Sequence, residues 1–214
     1  MDNTYHEQLV DGIKQLALDI PDSNIDKLLD YHQLLIKWNK AYNLTAVRDP
    51  LAMIPRHLLD SLSIGKFLDG QRFIDVGAGA GLPGIILAII FPQREFDLLD
   101  SNGKKTRFLV QVKAELSLTN VTIHNCRVEQ FHPEVLFDGV ISRAFATLAD
   151  MVQGSQQLLA DDGLFYAMKG LYPEQELKQL SELSKAYNVE ACHALTVPGE
   201  TAERHLLVIS QNRS

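Results

Sequence analysis

The chain has 214 residues, 46% of them hydrophobic, and a formal net charge of −7. That is enough apolar material for one α/β domain with an appendage, while the acidic balance excludes a generally basic nucleic-acid binder and leaves room only for a local cationic patch. No apolar run reaches the roughly 18–20 residues of a membrane span, the start lacks a signal peptide's basic and apolar blocks, and Cys126 and Cys192 form no C-x-x-C pair, so a cytoplasmic protein with reduced thiols is expected.

From Tyr5 to about Leu18, apolar residues Leu9, Ile13, Leu16 and Ala17 recur at helical spacing. Pro21 breaks that run, and Ser23 with Asp26 three residues later reads as a helix cap. A second helix is expected to about Trp38, burying Ile25, Leu28, Leu29, Leu35 and Ile36. The polar and aromatic stretch Trp38 to Thr45 then leaves the helix, with Trp38 packed inside. Between Pro50 and Phe67, Pro55 should break or restart a helix, and His57 and Asp60, at i and i+3, could pair on one face. That pair reads more readily as a surface or interdomain contact than as a catalytic dyad. Residues 1–70 are therefore expected to form a helical N-terminal region, and 71–214 a nucleotide-type core.

The core begins with Phe73-Ile-Asp-Val-Gly-Ala-Gly-Ala-Gly-Leu-Pro-Gly84. Phe73, Ile74 and Val76 read as a buried strand, the glycines as a tight turn that a ligand can approach closely, and Pro83 as the first turn of a helix from Leu82. The helix-start amides would face whatever lies on the loop. The frame Asp75-x-Gly77-x-Gly79-x-Gly81 is not the G-x-G-x-x-G that holds a pyrophosphate, which disfavours a nicotinamide oxidoreductase. It resembles the first motif of class I S-adenosylmethionine-dependent methyltransferases. The next strand, Glu95 to Asp100, ends in an acid about 20 residues on, where a ribose-hydroxyl acceptor belongs.

The alternation continues with a helix over Lys104–Leu116, a strand over Val121–His124, a strand and outgoing loop from Phe137 through Arg143, and a helix near Leu148–Leu158. Asp161-Asp-Gly163 reads as a turn into a strand ending at Lys169-Gly170, and a helix is expected over 173–187. Val189–Val197 and Glu203–Ile209 read as a closing hairpin across a short Pro-Gly loop. The expected fold is α/β and Rossmann-like: a mostly parallel seven-stranded sheet, helices on both faces, and an antiparallel pair at its end. The segment Gly103–Lys113 carries four cations and no acid, either a solvated helix face or a phosphate contact.

Ligands of such sheets bind beyond the carboxyl ends of the strands, which brings forward Gly77 to Leu82, Asp100, Ser101, Val128, Glu129, Arg143 and Lys169. Val128-Glu129 could read an adenine edge or be an ordinary loop with an acid. There is no Asn/Asp-Pro-Pro-Tyr/Phe clamp for an exocyclic amine and no Pro-Cys for attack on a pyrimidine. A ring nitrogen such as guanine N7 has a lone pair and no proton to lose, so proximity and orientation can carry its methylation.

Taken together, Trp38-Asn39, Asn43-Leu44-Thr45, His57, Asp60-Ser61-Leu62, the Asp75–Gly84 loop, Asp100-Ser101, Lys104-Lys105, Ile141–Ala144, Lys169-Gly170 and Glu203–Leu206 resemble the bacterial RsmG family, also called glucose-inhibited division protein B. The resemblance spans nearly the whole chain. It implies an S-adenosylmethionine-dependent enzyme that methylates a guanine N7 in the decoding region of 16S ribosomal RNA, with the small ribosomal subunit as partner, neither DNA nor membrane involved, and a monomer as the default. A non-catalytic ribosome- or RNA-binding module with the same fold is the alternative. The family's cofactor contacts fall on Gly77, Leu82, Val128, Glu129 and Arg143; Gly79, Gly81, Asp100 and Ser101 join them from the loop and strand-end logic. Ala78 and Ala80 stand where relatives often carry Ser or Thr and Pro, and both remain small. No catalytic residue is assigned. Arg143, Lys169, Asn43 and His57 are candidates for the acceptor pocket, and Lys169, Arg204 and the Lys104–Arg107 cluster for phosphate contacts. Arg143 could orient the cofactor or the guanine, or be held in an ion pair with Glu129 or Asp100.

Overall fold

A computed structural model describes residues 3–143, 145–183 and 186–212. Ala144 of the family-like motif, and residues 184–185 of the helix expected over 173–187, lie outside them. The strands are β1 (Arg72–Val76), β2 (Glu95–Leu99), β3 (Val121–His124), β4 (Phe137–Ser142), β5 (Leu159–Lys169), β6 (Tyr187–Ala194) and β7 (His205–Gln211). The helices are α1 (Asn3–Gln15), α2 (Asp22–Tyr42), α3 (Pro50–Met53), α4 (Asp60–Leu62), α5 (Gly84–Ile90), α6 (Gly103–Glu115), α7 (Leu148–Ser155) and α8 (Glu174–Leu183), with a π-helical turn at Ile54–Leu59.

The strands form one sheet in the order β3-β2-β1-β4-β5-β7-β6. Strands β1 to β5 pair in parallel, and β7 runs antiparallel to both β5 and β6. Among the described strands only β7 is reversed, and it lies between its neighbours rather than at the edge. Apolar side chains alternate across the sheet. Phe73, Tyr166, Met168, Leu206 and Val208 join a core with α1, α2, α5 and α6, whereas Ile74, Phe165, Ala167, Leu207 and Ile209 join another with α7 and α8. Both faces are thus covered, as a parallel sheet requires. Helix α5 (Gly-Ile-Ile-Leu-Ala-Ile-Ile) is apolar all round because it sits against β2 on one side and α2 and α4 on another.

Local reading and structure part company at several junctions. Helix α2 begins at Asp22 behind Pro21, with Asn24 and Ile25 N–H groups donating to the Pro21 carbonyl, so Ser23 lies inside the first turn and caps nothing. It also continues four residues past Trp38 and stops at Asn43, whose left-handed conformation (φ 53°) closes it. Trp38, half-buried, packs on Tyr42 and on Phe108 of α6 with ring centroids 5.1 and 5.6 Å away. Pro55 breaks nothing: the chain absorbs it in the π-helical turn, which leads directly into α4. Residues 161–163 lie within β5, where an irregular register carries the pairing from Phe137 with Leu159 to Gly139 with Leu164. The connection between β6 and β7 spans residues 195–204 rather than a tight turn.

Candidate functional site

Strand β1 ends in the glycine-rich turn, and the backbone there is held from three directions. The Gly77 and Ala78 amides donate to the Leu99 carbonyl (2.8 and 3.1 Å), and those of Gly81 and Leu82 to the Ala78 carbonyl (2.7 and 3.1 Å). The Gly79 amide donates to Asp100 Oδ2 at 2.9 Å. Below the loop, Asp75 Oδ2 accepts from the Gly84 amide at 2.9 Å, so a carboxylate already occupies the start of α5 that sequence reading left for a ligand. From α2 the Tyr31 hydroxyl donates to the Ala80 carbonyl at 2.7 Å, tying the helical region to the tip of the loop. Burial raises the Tyr31 phenol far above its usual range, so it remains a donor.

Asp75 is almost wholly buried, and its Oδ1 has no hydrogen-bond partner among the described residues. Desolvation raises its pKa to about 7, opposed by the Gly84 bond and the Arg143 charge and reinforced by Asp100.

Two clefts flank the turn. One, of about 200 Å3, is lined by Val76, Gly77, Asp100, Ser101, Cys126, Val128, Glu129 and Phe145. Apolar walls from Val128 and Phe145 suit a flat heteroaromatic ring, and Asp100 and Glu129 suit hydroxyl and amino donors. The other, of about 210 Å3, runs over Gly77 to Ala80 between Leu44-Thr45, Leu82, Lys105 and Arg143, so two cations border it. Lys105 Nζ is 3.6 Å from Asp100 Oδ2. A Cβ placed on Gly79 would find only the Gly77 carbonyl at 3.8 Å and Lys105 Nζ at 3.9 Å, which leaves open space above the loop. A bare turn, an apolar slot and flanking charges of both signs together fit an adenosine-bearing zwitterion such as S-adenosylmethionine.

A further pocket, of about 320 Å3, opens beside these clefts at the carboxyl ends of β4 and β5, lined by Val47, Arg56, His57, Asp60, Arg143, Met168, Lys169, Gly170, Leu195, Arg204 and His205. Arg143 borders both it and the loop cleft. The ion-pair partner of Arg143 is neither Glu129 nor Asp100. Its guanidinium lies 3.0 Å from Asp60 Oδ2, while Arg204 lies 3.0 Å from Asp60 Oδ1. His57 and Asp60 do not pair. His57 Nε2 shares a 2.8 Å hydrogen bond with Thr45 Oγ1, and Nδ1 shares one of 2.9 Å with the Arg56 carbonyl. Lys169 is drawn to Glu176 Oε2 at 2.8 Å and to the Ala146 carbonyl at 3.2 Å, so it enters the pocket already neutralised. Asn43 is exposed, accepts from Arg48 at 2.7 Å and lines none of these cavities. Gly81 also stays out of them; it is a packing position under the loop.

Burial and, secondarily, the Arg143 charge lower the His57 pKa to about 4. A depressed histidine contributes stability above its unfolded value of 6.5 that is lost as pH falls through about 4. The His57 imidazole is therefore expected to stay neutral down to about pH 5 in a nitrogen-15 NMR titration; a midpoint near its unperturbed value would refute the burial argument.

Sequence reading carried Asp60 as a possible partner for His57 and, with Thr45, as part of the family-like motif, without a site role for either, and gave no site role to Cys126, Phe145 or Glu200. For Asp60 a signal was present. One carboxylate set in Leu58-Leu59-Asp60-Ser61-Leu62 has apolar neighbours on either side, and a buried acid needs cationic or hydrogen-bonding partners. The others could be placed only by the fold.

The family profile described as GidB, rRNA small subunit methyltransferase G, matches residues 24–207 of this chain. The chain is 53% identical over 206 residues to the ribosomal RNA small subunit methyltransferase G of Saccharophagus degradans, covering 96% of this chain and 91% of that one. It is 52% identical over 205 residues to the protein of the same name from Idiomarina loihiensis, covering 96% and 98%. Among solved structures it resembles a SAM-dependent O-methyltransferase from Thermotoga maritima (TM-score 0.54, 19% identity, 72% of this chain and 66% of that chain). It also resembles a ribosomal protein L11 methylase from Lactobacillus delbrueckii subsp. bulgaricus (TM-score 0.55, 16% identity, 72% and 77%). At those identities the structures speak for the fold alone.

Proposed function

Because the chain belongs to the GidB family of rRNA small subunit methyltransferases, we propose that it methylates N7 of a guanine in the decoding region of 16S ribosomal RNA. The protein is an S-adenosylmethionine-dependent rRNA methyltransferase with a Rossmann-like core. The observation that supports the site reading is Arg143, which borders both the cleft over the glycine loop and the pocket beyond it, so that the two cavities are neighbours.

In this reading Val128, Glu129, Asp100 and Ser101 receive the adenosine end, and Gly77, Gly79 and Leu82 the end that carries the methyl group, with Gly81 supporting the turn from below. S-adenosylmethionine supplies an activated methyl group on its sulfonium. The protein's own residues bind, orient and exclude water. His57, Asp60, Arg143, Met168, Lys169 and Arg204 shape the acceptor pocket; Asn43 serves at a distance, as the stop of α2. Guanine N7 presents an in-plane lone pair and loses no proton, so no general base is needed, and none of these groups is free to act as one. The purine gains positive charge as the donor loses it. A neutral His57 adds no further positive charge to a pocket wall that already carries arginines held by the buried Asp60 carboxylate. Alignment alone can be worth roughly 7–11 kcal/mol in favourable intramolecular systems.

No helix among the described residues is long and apolar enough to cross a membrane. We place the protein in the cytoplasm as a monomer acting on the small ribosomal subunit. Residues 1–70 would form the helical wall of the acceptor pocket and 71–214 the cofactor-binding core. With methyl-labelled S-adenosylmethionine and RNA-containing small subunits, label is expected at N7 of one guanine, located by chain cleavage at the modified base. Label in protein, in a small metabolite or on an exocyclic amine would overturn the assignment. Cofactor binding without turnover on any RNA would favour the non-catalytic module.

A further inference from the structure

Asp60, Arg143 and Arg204 come from three distant parts of the chain: the start of α4, the exit of β4 and the residue before β7. Each Asp60 oxygen takes a different arginine at 3.0 Å. The Asp60 side chain is 3% exposed, whereas Arg143 and Arg204 remain 30% and 25% exposed. The carboxylate is therefore the hidden pivot, and both guanidiniums keep an open face. Arg204 continues the chain of charges: its Nη1 donates to the Glu203 carbonyl at 2.8 Å, and its Nη2 lies 3.6 Å from Glu200, which holds Arg56 at 2.9 Å. Three guanidiniums against two carboxylates leave this wall net positive, and all of it except Glu200 lines the same pocket.

We propose that Asp60 is a positioning residue: one buried carboxylate sets the arginine bordering the donor cleft against the arginine bordering the acceptor pocket, so that the two grip cofactor and RNA in a fixed relation. The proposal rests on the functional reading above and deepens it. Both carboxylate oxygens are engaged, so Asp60 cannot serve as a base without releasing an arginine. Its effect on the reaction passes through Arg143 and Arg204. A long cationic side chain left to itself samples many rotamers, and the pivot removes that freedom before the RNA arrives. An arginine can then meet a phosphate or a guanine edge with two parallel hydrogen bonds, which a lysine cannot do.

The test is a double-mutant cycle read as kinetics on small subunits, with cofactor affinity measured by calorimetry. Arg204→Ala is expected to raise KM for the subunit roughly tenfold while leaving the S-adenosylmethionine Kd unchanged, and Asp60→Asn to raise that KM similarly and to weaken cofactor binding several-fold through Arg143. The combined variant should be no worse in KM than Asp60→Asn alone, because the second change removes a group already released. Additive losses, or an Asp60→Asn variant whose melting temperature falls while KM and Kd stay put, would overturn the proposal. Should Asp60→Asn fail to fold, Arg204→Lys reads the same claim. It keeps the charge and loses the fork, so a subunit KM like that of wild type would show that charge alone matters and would sink the idea. If wild-type protein methylates no RNA, the functional reading fails separately, and the Asp60–Arg143 half is still decided by calorimetry. There, Asp60→Asn and Arg143→Ala must be non-additive in cofactor Kd.

Discussion

Gly79→Val is expected to abolish S-adenosylmethionine binding while leaving a folded protein. The Gly79 φ of +59° is left-handed, so a β-branched residue there costs about 1–2 kcal/mol. For a chain of this size that lowers the melting temperature by only a few degrees. Little else resists the new side chain, since a Cβ at Gly79 would make no contact closer than 3.8 Å. It would stand instead in the cleft between Thr45, Lys105 and Arg143. A loss of affinity beyond 100-fold, about 3 kcal/mol, should follow in calorimetry. An unchanged Kd would refute the placement of the donor over this turn. Gly81→Val provides the contrast. Its φ is +84°, and a Cβ there would overlap Ile85 and come within 2.9 Å of Leu109, so that substitution should unfold the loop rather than block it. Two glycines two residues apart in one motif thus serve different ends.

The second large effect concerns pH. Asp75 has its pKa raised from 3.8 to about 7, with burial as the main cause. In the folded protein the neutral carboxyl is preferred, so between about pH 4 and 7 the native state holds more protons than the unfolded chain, and stability falls as pH rises through that window. The shift of about 3 units corresponds to a cost of about 4 kcal/mol at neutral pH, fully absent below the unfolded value. Asp75→Asn keeps an oxygen for the Gly84 amide and cannot ionise. Its stability relative to wild type should therefore increase from pH 4.5 to about 7 in denaturant titrations, by about 3 kcal/mol, and level off above that. A difference independent of pH would mean that Asp75 is ionised in the fold throughout. His57 works in the opposite direction below pH 6.5, because it must lose a favourable neutral state as pH falls towards about 4. Comparing Asp75→Asn with wild type cancels that contribution.

This acid and this base illustrate how far local pattern reaches. Asp75 was recognisable as part of an acid-plus-glycines frame, since the frame is contiguous. Its burial, its orphaned Oδ1 and its bond to Gly84 depend on α5 packing over the strand. His57 was legible as a pocket candidate, and its bond to Thr45 was not, because the π-helical turn shifts the face on which it points. The cap assigned to Ser23 failed for a related reason: Pro21 already supplies the carbonyl and the fixed φ that start α2, so the serine has no amide left to cap. Asn43 matched a family motif, but its left-handed φ makes it the stop of a helix rather than part of a cavity.

By itself the sequence determined the order of the strands and main helices, the glycine turn after β1 and the acid that follows β2, all of which follow from periodicity and steric freedom within a few residues of one another. The class of donor came from the resemblance of that acid-plus-glycines frame to a known methyltransferase motif. Only the tertiary structure decided that β7 inserts between β5 and β6, that Lys169 is neutralised by Glu176, and that Asp60 joins Arg143 and Arg204 across sequence separations of 83 and 144 residues. An ion pair's partners are chosen by where packed elements converge and by which carboxylates lose their water, and neither quantity exists until the sheet and its covering helices have closed around them.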